Sequence, residues 1–366
     1  MIGGHGGNIY DLARRLGCSP ADILDLSSNV NPLGPPHGLC EHLAQHLQAV
    51  SVLPEVDSQG IIRSYAECLG VSADRLLAGN GTTQFIYSIP GVLGLKKALI
   101  VGPTYSDYAD ACRLQGVACE LFLCSESDHF EPDLARLGKA ATGNDAVFIC
   151  NPNNPTGTLI PAAALKQLCL ANRRVRFIVD ESYLPFVIEG ERQSLARSGI
   201  ENLLVLLSLS KIFRIPGLRI GFLVAAPAIV QAFAGGMWPW SVNSLGQAAV
   251  RFLCEAGPAL ETFVAETRGY LERERVLFQE RLGSIPGFRV FPSPTSFFLV
   301  SLPEGMSAAA VWAALAEERI LIRNCANFLG LSDKFIRISL KDPAANRRVA
   351  ERLAELAAQS SRVGTG

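Results

Sequence analysis

The segment Ser208-Leu209-Ser210-Lys211 brings an amine and two hydroxyl groups together directly after the apolar run 203–207. A lysine that attacks an aldehyde must be accessible and must have a lowered pKa. A phosphate group beside it needs hydroxyl donors and a fixed cation, and Arg219 follows eight residues later. The segment therefore indicates an amine that reacts with a carbonyl group next to a phosphate. Taken alone, it also fits an ordinary surface lysine after a strand.

A carboxylate ends a second apolar run, Phe177-Ile178-Val179-Asp180, and Tyr183 follows three residues after it. A carboxylate in this position can keep a heterocyclic nitrogen protonated, which makes the ring withdraw electrons. The hydroxyl of Tyr183 can bond to a phenolic oxygen of the same ring. An apolar strand that ends in aspartate is also common without any catalytic role, so this pattern leaves both interpretations open.

The loop Gly79-Asn80-Gly81-Thr82-Thr83-Gln84 precedes an apolar helical pattern. Free backbone N–H groups at the start of a helix, with hydroxyl groups beside them, form an anion-binding site. Gly81, Thr82 and Thr83 are therefore candidate phosphate ligands. The competing interpretation is an N-capping turn, in which Thr82 satisfies the free amides of the helix.

Two further loops follow predicted strands. Asn151-Pro152-Asn153-Asn154-Pro155-Thr156-Gly157 has a turn fixed by two prolines, from which Asn154 can reach a ligand. In Gly102-Pro103-Thr104-Tyr105 the tyrosine can stack on a planar ring, although an aromatic residue that opens a helix is more often a packing residue.

Two arginines stand at or inside apolar runs near the end of the chain. Arg337 lies within Phe335-Ile336-Arg337-Ile338-Ser339, and Arg323 ends Ile320-Leu321-Ile322-Arg323. A buried guanidinium is costly unless it is paired, and it suits bidentate capture of a carboxylate or a phosphate. Both arginines are candidate substrate ligands, and a structural ion pair is the alternative for each.

Alternating strands and helices must position these residues. Short apolar runs predict buried strands at Lys97–Val101, Asp145–Cys150, Val175–Asp180 and Leu203–Ser208. Helical patterns lie near Thr82–Leu93, Tyr105–Leu114 and Pro161–Ala171. This alternation predicts an α/β fold with a mostly parallel sheet covered by helices. The carboxyl ends of such strands are where ligands bind, and most of the candidate residues follow a predicted strand.

The rest of the chain predicts a second, smaller unit. A helix from roughly Pro258 to Leu282, rich in Glu and Arg, is expected to be solvated and to connect the two units. After it come predicted strands at Ser296–Val300, Ile320–Arg323 and Phe335–Leu340, and helices at Ala308–Glu318 and from Pro343. We therefore expect an N-terminal arm over residues 1–36 that packs with the small domain, a large domain over 37–257, a connecting helix over 258–283 and a small domain over 284–366.

Composition narrows the class of protein. The chain has 366 residues, 49% of them hydrophobic and 18% charged, which favours a large buried core over disorder. A formal net charge of −1 does not favour nucleic acid or an anionic membrane as a partner. Ten scattered cysteines without zinc spacing are expected to be reduced and to bind no metal. The first residues resemble no secretory signal, and no apolar stretch reaches the length of a membrane span, so we expect a cytoplasmic protein.

In their order along nearly the whole chain, these motifs resemble the fold-type-I enzymes of the class I/II aminotransferase family. The resemblance implies pyridoxal 5′-phosphate as cofactor, a homodimer, and a smaller α+β domain beside the large one. It implies that Lys211 carries the cofactor as a Schiff base, that Asp180 faces the pyridine nitrogen, and that Arg337 holds the substrate carboxylate. The remaining residues that match cofactor contacts of the family are Gly81, Thr82, Thr83, Tyr105, Asn154, Tyr183, Ser208, Ser210 and Arg219.

Motifs in the N-terminal arm indicate which enzymes of the family the chain resembles most. His5-Gly6-Gly7-Asn8-Ile9 and Ser27-Ser28-Asn29-Val30-Asn31-Pro32-Leu33-Gly34 are similar to the threonine-phosphate decarboxylases of cobalamin synthesis, which implies that His5 and Asn31 bind substrate from the arm. The histidinol-phosphate aminotransferases are similar over the rest of the chain but usually lack the H-G-G-N opening. A glycine-rich terminus can also be merely mobile. Leu53 stands where relatives usually have a tyrosine that reaches the cofactor phosphate of the partner subunit.

The sequence thus predicts decarboxylation of a small phosphorylated amino acid, L-threonine O-3-phosphate, with Arg323 supporting Arg337. The first alternative is an aminotransferase of the histidinol-phosphate type, because the same residues serve both reactions. The second is a PLP-binding protein without turnover. Such proteins usually carry a DNA-binding domain, for which we expect no room before the fold.

Overall fold

Seven strands form the central sheet in the computed structural model, which describes residues 6–363 and the side chains up to residue 360. Its middle strands carry apolar side chains on both faces, as in Val147, Phe148 and Ile149, because helices cover the sheet on both sides. The strands of the protein are β1 Leu24–Asp25, β2 Leu76–Asn80, β3 Lys97–Gly102, β4 Ala118–Leu123, β5 Ala146–Cys150, β6 Arg176–Asp180, β7 Leu203–Ser208, β8 Ile220–Val224, β9 Arg289–Val290, β10 Phe297–Ser301, β11 Ile320–Leu321, β12 Arg323–Asn324 and β13 Phe335–Ser339.

The helices alternate with these strands through the first two thirds of the chain. They are α1 Ile9–Leu16, α2 Leu39–Gln45, α3 Gln59–Leu69, α4 Gly81–Val92, α5 Asp107–Leu114, α6 Leu134–Ala141, α7 Ala162–Ala171, α8 Gly190–Gln193, α9 Leu209–Ile212, α10 Pro227–Ala234, α11 Ser244–Glu255, α12 Pro258–Gly283, α13 Ala308–Glu317 and α14 Pro343–Val363. The mixed α/β architecture predicted from the sequence is confirmed.

The central sheet has the order β2-β8-β7-β6-β5-β3-β4, in which only β8 runs antiparallel to its neighbours. The register pairs Cys150 with Asp180 and Asp180 with Leu206, so that β5, β6 and β7 end at one edge. This edge receives the loop after Cys150, the carboxylate of Asp180 and the turn that starts at Ser208. The sheet therefore collects three separate sequence motifs at one place.

A second, four-stranded antiparallel sheet has the order β12-β13-β10-β9. The N-terminal arm joins this part of the molecule, because β1 pairs in parallel with β11, Leu24 with Ile320. We expected a single strand over 320–323, but the structure has two short strands there. β11 pairs with β1 of the arm, whereas β12 pairs with β13. Buried Ile322 lies between them.

Helix α12 runs for 26 residues and contacts β9 and α14. Its charged sequence predicted a solvated helix, but part of its surface is buried. One face is buried and includes Leu271, Phe278 and Leu282, at intervals that return to the same side of a helix. Elsewhere on the helix, Arg268 forms an ion pair with Glu191 of α8 at 2.6 Å. Neither α12 nor any other helix within residues 6–363 is long and apolar enough to cross a membrane.

Candidate active site

Two adjoining pockets open at the carboxyl edge of the central sheet. They share a boundary formed by Tyr105, Asn154, Tyr183 and Lys211. The Asp180 pocket is further lined by Gly81, Thr82, Thr83, Tyr108, Cys150, Asp180, Ser182, Ser208, Ser210 and Arg219. The Arg337 pocket is further lined by Gly6, Ser27, Ser28, Asn29, Ser106, Arg323, Asn327, Phe328 and Arg337. Their position at the strand ends and their convergent polar side chains suit a small-molecule ligand.

Lys211 lies in α9, the short helix that begins as soon as β7 ends. Its side chain enters the boundary between the two pockets. Burial, followed by the positive charges of Arg219 and Arg337, lowers the pKa of Lys211 to about 8, against the opposing effect of Asp180. A substantial fraction of the amine is therefore neutral near neutral pH, which is the form that attacks a carbonyl carbon.

Asp180 is the last residue of β6 and is only 4% exposed. Its Oδ1 accepts hydrogen bonds from the backbone N–H of Ser182 at 2.9 Å and from the Ser182 hydroxyl at 2.5 Å. Its Oδ2 accepts one from the hydroxyl of Tyr108 at 2.9 Å. Burial raises the pKa of Asp180, while these hydrogen bonds and Lys211 oppose the rise. The carboxylate is thus held in one orientation at the floor of its pocket.

Hydroxyl groups, a helix N-terminus and a guanidinium converge on one side of the Asp180 pocket. Helix α4 starts at Gly81, whose φ of +69° favours glycine. A Cβ at Gly81 would lie 2.8 Å from Nη2 of Arg219, so the glycine lets this guanidinium approach the helix start. The hydroxyl-bearing residues around it are Thr82, Thr83, Ser208 and Ser210. This is the donor set that a phosphate group requires.

Three boundary side chains separate the pockets. Tyr105 lies at the boundary, and its ring meets Tyr108 edge-on at 5.8 Å. The ring of Tyr183 packs edge-on against Phe297 at 5.1 Å, and burial raises the pKa of its hydroxyl to about 12 against the effect of Arg337. Tyr183 therefore remains a neutral hydrogen-bond donor. The side-chain oxygen of Asn154 accepts a hydrogen bond from Nη1 of Arg337.

Arg337, in the middle of β13, is 4% exposed and lies over the ring of Phe297. Its Nη2 donates to the backbone oxygen of Ser27 in the arm. Its Nε has no hydrogen-bond partner among the described residues. Because a buried guanidinium is costly when its donors are unsatisfied, this arginine has capacity for an anionic ligand in its pocket.

Arg323 supplies a second cation to the same pocket. Its Nη2 donates to Oδ1 of Asn327 at 2.6 Å, and its guanidinium lies 4.9 Å from the ring centre of Phe328. Burial, and then the charge of Arg337, lowers the pKa of Arg323 to about 10. Two like charges held this close favour a ligand that carries compensating negative charge.

The arm contributes differently from the sequence-based expectation. Asn31 is buried away from the pocket linings, where its side chain donates to the backbone oxygen of Ile212 and to Thr267. Asn29, two residues earlier, is the arm asparagine that lines the Arg337 pocket. His5, the other predicted arm ligand, lies outside the described residues.

Several lining residues escaped the sequence analysis. They are Ser27, Ser28, Asn29, Tyr108, Ser182, Asn327 and Phe328. A signal existed for Tyr108, because it lies three residues after Tyr105 and so near the same side of a helical turn. For Asn29 the polar run 27–31 was noted, but the sequence did not indicate which asparagine faces the pocket.

Comparison with known proteins gives one family. The family model "Aminotransferase class I and II" matches residues 21–353. Threonine-phosphate decarboxylase of Salmonella typhimurium is 31% identical over 350 residues, 94% of this chain and 94% of that protein. Histidinol-phosphate aminotransferase of Desulfitobacterium hafniense is 31% identical over 342 residues, 92% of each chain.

A solved structure gives the same result. The crystal structure of L-threonine-O-3-phosphate decarboxylase from Porphyromonas gingivalis matches with a TM-score of 0.82 and 30% identity, over 91% of this chain and 99% of that chain. The adenosylcobalamin biosynthesis bifunctional protein CobDQ of Leptospira interrogans is 28% identical over 95% of this chain, which spans only 40% of the length of that relative. The similarity therefore covers nearly all of the chain, with relatives of two different activities.

Proposed function

This chain belongs to the class I and II aminotransferase family of enzymes, and on that premise we propose that it is a pyridoxal-phosphate-dependent lyase. Its proposed substrate is a phosphorylated amino acid, L-threonine O-3-phosphate, from which it removes the carboxylate as CO₂. We further propose that it works as a homodimer in the cytoplasm. The observation that carries the proposal is a single pocket in which two guanidinium groups lie beside the reactive lysine.

The Asp180 pocket fits the cofactor of the family. It combines a boundary amine, a carboxylate at the floor, an aromatic ring and a separate set of phosphate donors. In this assignment Lys211 carries the cofactor, Asp180 holds a proton on the pyridine nitrogen, and Tyr183 donates to the phenolic oxygen. The phosphate is bound by Gly81, Thr82, Thr83, Ser208, Ser210 and Arg219. The bound cofactor supplies an electron-withdrawing ring that stabilises negative charge on the substrate α-carbon.

The Arg337 pocket supports a doubly anionic substrate. Arg337 holds the carboxylate, using Nε and the N–H groups not engaged by Ser27 and Asn154. Arg323, fixed by Asn327 and Phe328, is then placed to bind the phosphate. Threonine phosphate carries both anions, whereas histidinol phosphate carries only the phosphate. His5 remains a predicted substrate residue, whereas Asn31 is bonded to Ile212 and Thr267 and does not line the pocket.

The site contains a group that can supply the proton that decarboxylation requires. When the carboxylate leaves, the α-carbon must gain a proton in its place. The Nζ of Lys211, with a pKa of about 8, exchanges protons readily near neutral pH and lies at the boundary of the two pockets. We assign this proton to Lys211 or to a water molecule bound to it.

The second candidate function is transamination of histidinol phosphate. The specific observation in its favour is that the Desulfitobacterium aminotransferase has the same 31% identity to this chain as the Salmonella decarboxylase. The α-bond that is held perpendicular to the cofactor ring is the one that breaks. We propose that Arg337 and Arg323 together hold the substrate so that the carbon–carboxylate bond takes this position.

The deciding experiment offers the cofactor-loaded protein each substrate in turn. We expect CO₂ release from L-threonine O-3-phosphate to exceed its transamination, and to exceed glutamate formation from histidinol phosphate and 2-oxoglutarate. Lys211→Ala is the matched control and should lose both reactions. Efficient glutamate formation without CO₂ release would overturn the decarboxylase proposal in favour of the second candidate.

A further inference from the structure

The acid of the Asp180 pocket has a tyrosine partner that the proposed reaction does not use. The hydroxyl of Tyr108 lies 2.9 Å from Oδ2 of Asp180, and both side chains are buried. The other oxygen, Oδ1, is already bonded twice by Ser182. Oδ2 is therefore the oxygen with room for a further partner, and Tyr108 is the residue whose bond orients it.

The position of Tyr108 is fixed by packing. It lies in the first turn of α5, 1% exposed, with its ring stacked at 5.6 Å on Phe148 of the central sheet. Burial raises the pKa of its hydroxyl well above the ordinary value for tyrosine. The hydroxyl consequently stays neutral near neutral pH and donates its hydrogen to the ionised carboxylate.

We propose that Tyr108 is a positioning residue that acts through Asp180. By stabilising the ionised carboxylate, its hydroxyl keeps the proton shared by Asp180 and the cofactor ring on the ring nitrogen. The inference rests on the proposed function, because it needs the pyridine ring above Asp180. It goes further in assigning the protonation state of that ring to a residue that acts through Asp180.

Burial and hydrogen bonding compete at this carboxylate. Without hydrogen bonds, a carboxylate as buried as Asp180 would bind the proton itself and leave the ring neutral. The titratable groups that act electrostatically on it are Tyr105, Tyr108, Cys150, Glu181, Tyr183 and Lys211. Of these, Tyr108 is the one whose side chain donates a hydrogen bond to the carboxylate in the structure. Removing it should move the shared proton towards Asp180.

The test is Tyr108→Phe in the cofactor-loaded enzyme, read by spectroscopy as well as by rate. A neutral ring withdraws fewer electrons, so the pH midpoint of the visible band of the lysine-bound cofactor should rise. The kcat should fall roughly tenfold to a hundredfold, the value of one hydrogen bond to a charged group, while KM changes little. Replacing Tyr108 with 3-fluorotyrosine strengthens the bond without changing the packing, and should move the midpoint downwards.

Two controls separate positioning from a merely structural role. A cofactor analogue with carbon in place of the ring nitrogen, or an Asp180→Asn background, should abolish the difference between tyrosine and phenylalanine. Tyr270→Phe removes another tyrosine hydroxyl bond, to the backbone oxygen of Lys341, and should leave the midpoint unchanged.

The results of these experiments test the inference and the proposed function separately. An unchanged midpoint in Tyr108→Phe, or an equal loss of rate with the nitrogen-free analogue, would overturn the inference. A wild-type protein that binds no cofactor would instead refute the proposed function, which distinguishes the two failures.

Discussion

At the scale of single residues, the surroundings of Lys211 change the chemistry of its amine. Desolvation disfavours its charged form, and the guanidinium groups of Arg219 and Arg337 repel the same charge. The pKa of about 8 means that the reactive, neutral amine becomes the major form as the pH rises above 8. A surface lysine would reach that state about two pH units higher.

This gives a pH prediction for the cofactor-free protein. The rate at which it captures pyridoxal, which lacks the phosphate, should rise with pH and level off above a midpoint near 8, as followed by visible absorbance. Borohydride reduction and mass spectrometry should then place the pyridoxyl group on Lys211, and Lys211→Ala should form no such adduct. A midpoint near that of a free lysine, or an adduct at another lysine, would contradict the assignment.

At the scale of elements, the N-terminal arm is held as a unit against the Arg337 pocket. The carboxylate of Asp25 accepts hydrogen bonds from the backbone N–H and the hydroxyl groups of both Ser27 and Ser28. This leaves the Ser27 carbonyl to bind Arg337 and the Ser28 carbonyl to accept from Lys341. The backbone N–H of Gly7 donates to the Ser27 hydroxyl at 2.7 Å and brings the start of the arm to the same place.

Deleting residues 1–8 should therefore weaken substrate use and spare the cofactor. The proposed cofactor ligands lie in other elements, so the visible band should persist while kcat/KM for threonine phosphate falls by roughly tenfold or more. Arg14→Ala, which removes an exposed ion pair in α1, is a control that should leave kcat/KM unchanged. A truncated protein that performs like the full chain would exclude residues 1–8 from substrate binding.

At the scale of the whole molecule, one surface is unusually apolar. The segment 47–56 exposes Leu47, Val50, Val52, Leu53 and Val56, and Trp238 and Trp240 are also exposed. The two regions adjoin, because the backbone N–H of Trp240 donates to the backbone oxygen of Val56 at 2.9 Å. Contiguous exposed apolar surface marks a protein–protein contact, and a second copy of the chain is the partner expected from the family resemblance.

We predict that the wild-type protein is a dimer in solution and that Leu53→Glu shifts it towards the monomer. Leu53 is 72% exposed in the single chain, and a carboxylate buried at this point of a dimer would be left unpaired. Light scattering during gel filtration at micromolar concentration measures the change. Leu53→Tyr is the matched control and should remain dimeric; a monomeric wild type would refute the prediction.

The sequence by itself determined the features that depend on a local pattern of residues, such as the position of a buried strand. Apolar runs of strand length gave β7 with its observed bounds and placed Asp180 at the end of β6, because burial on both faces leaves no room for polar residues. The edge strand β4 was missed, since its exposed residues, such as Glu120, break the apolar run. The sequence analysis also missed β8, because the apolar residues of this strand continue without a break into the apolar residues that follow it. Such strands are defined by their partners, not by their own composition.

Only the tertiary structure decided which distant groups meet and which side chain of a loop faces the ligand. Arg337 reaches Asn154 and Ser27, which are 183 and 310 residues away in the chain, and Tyr108 reaches Asp180 across 72 residues. Asn29 rather than Asn31 lines the pocket, because strand pairing of the arm with β11 and packing against α9 and α12 fix the direction of each side chain. A linear pattern carries residue types and spacing, but hydrogen-bond partners and side-chain directions follow from how separate elements pack together.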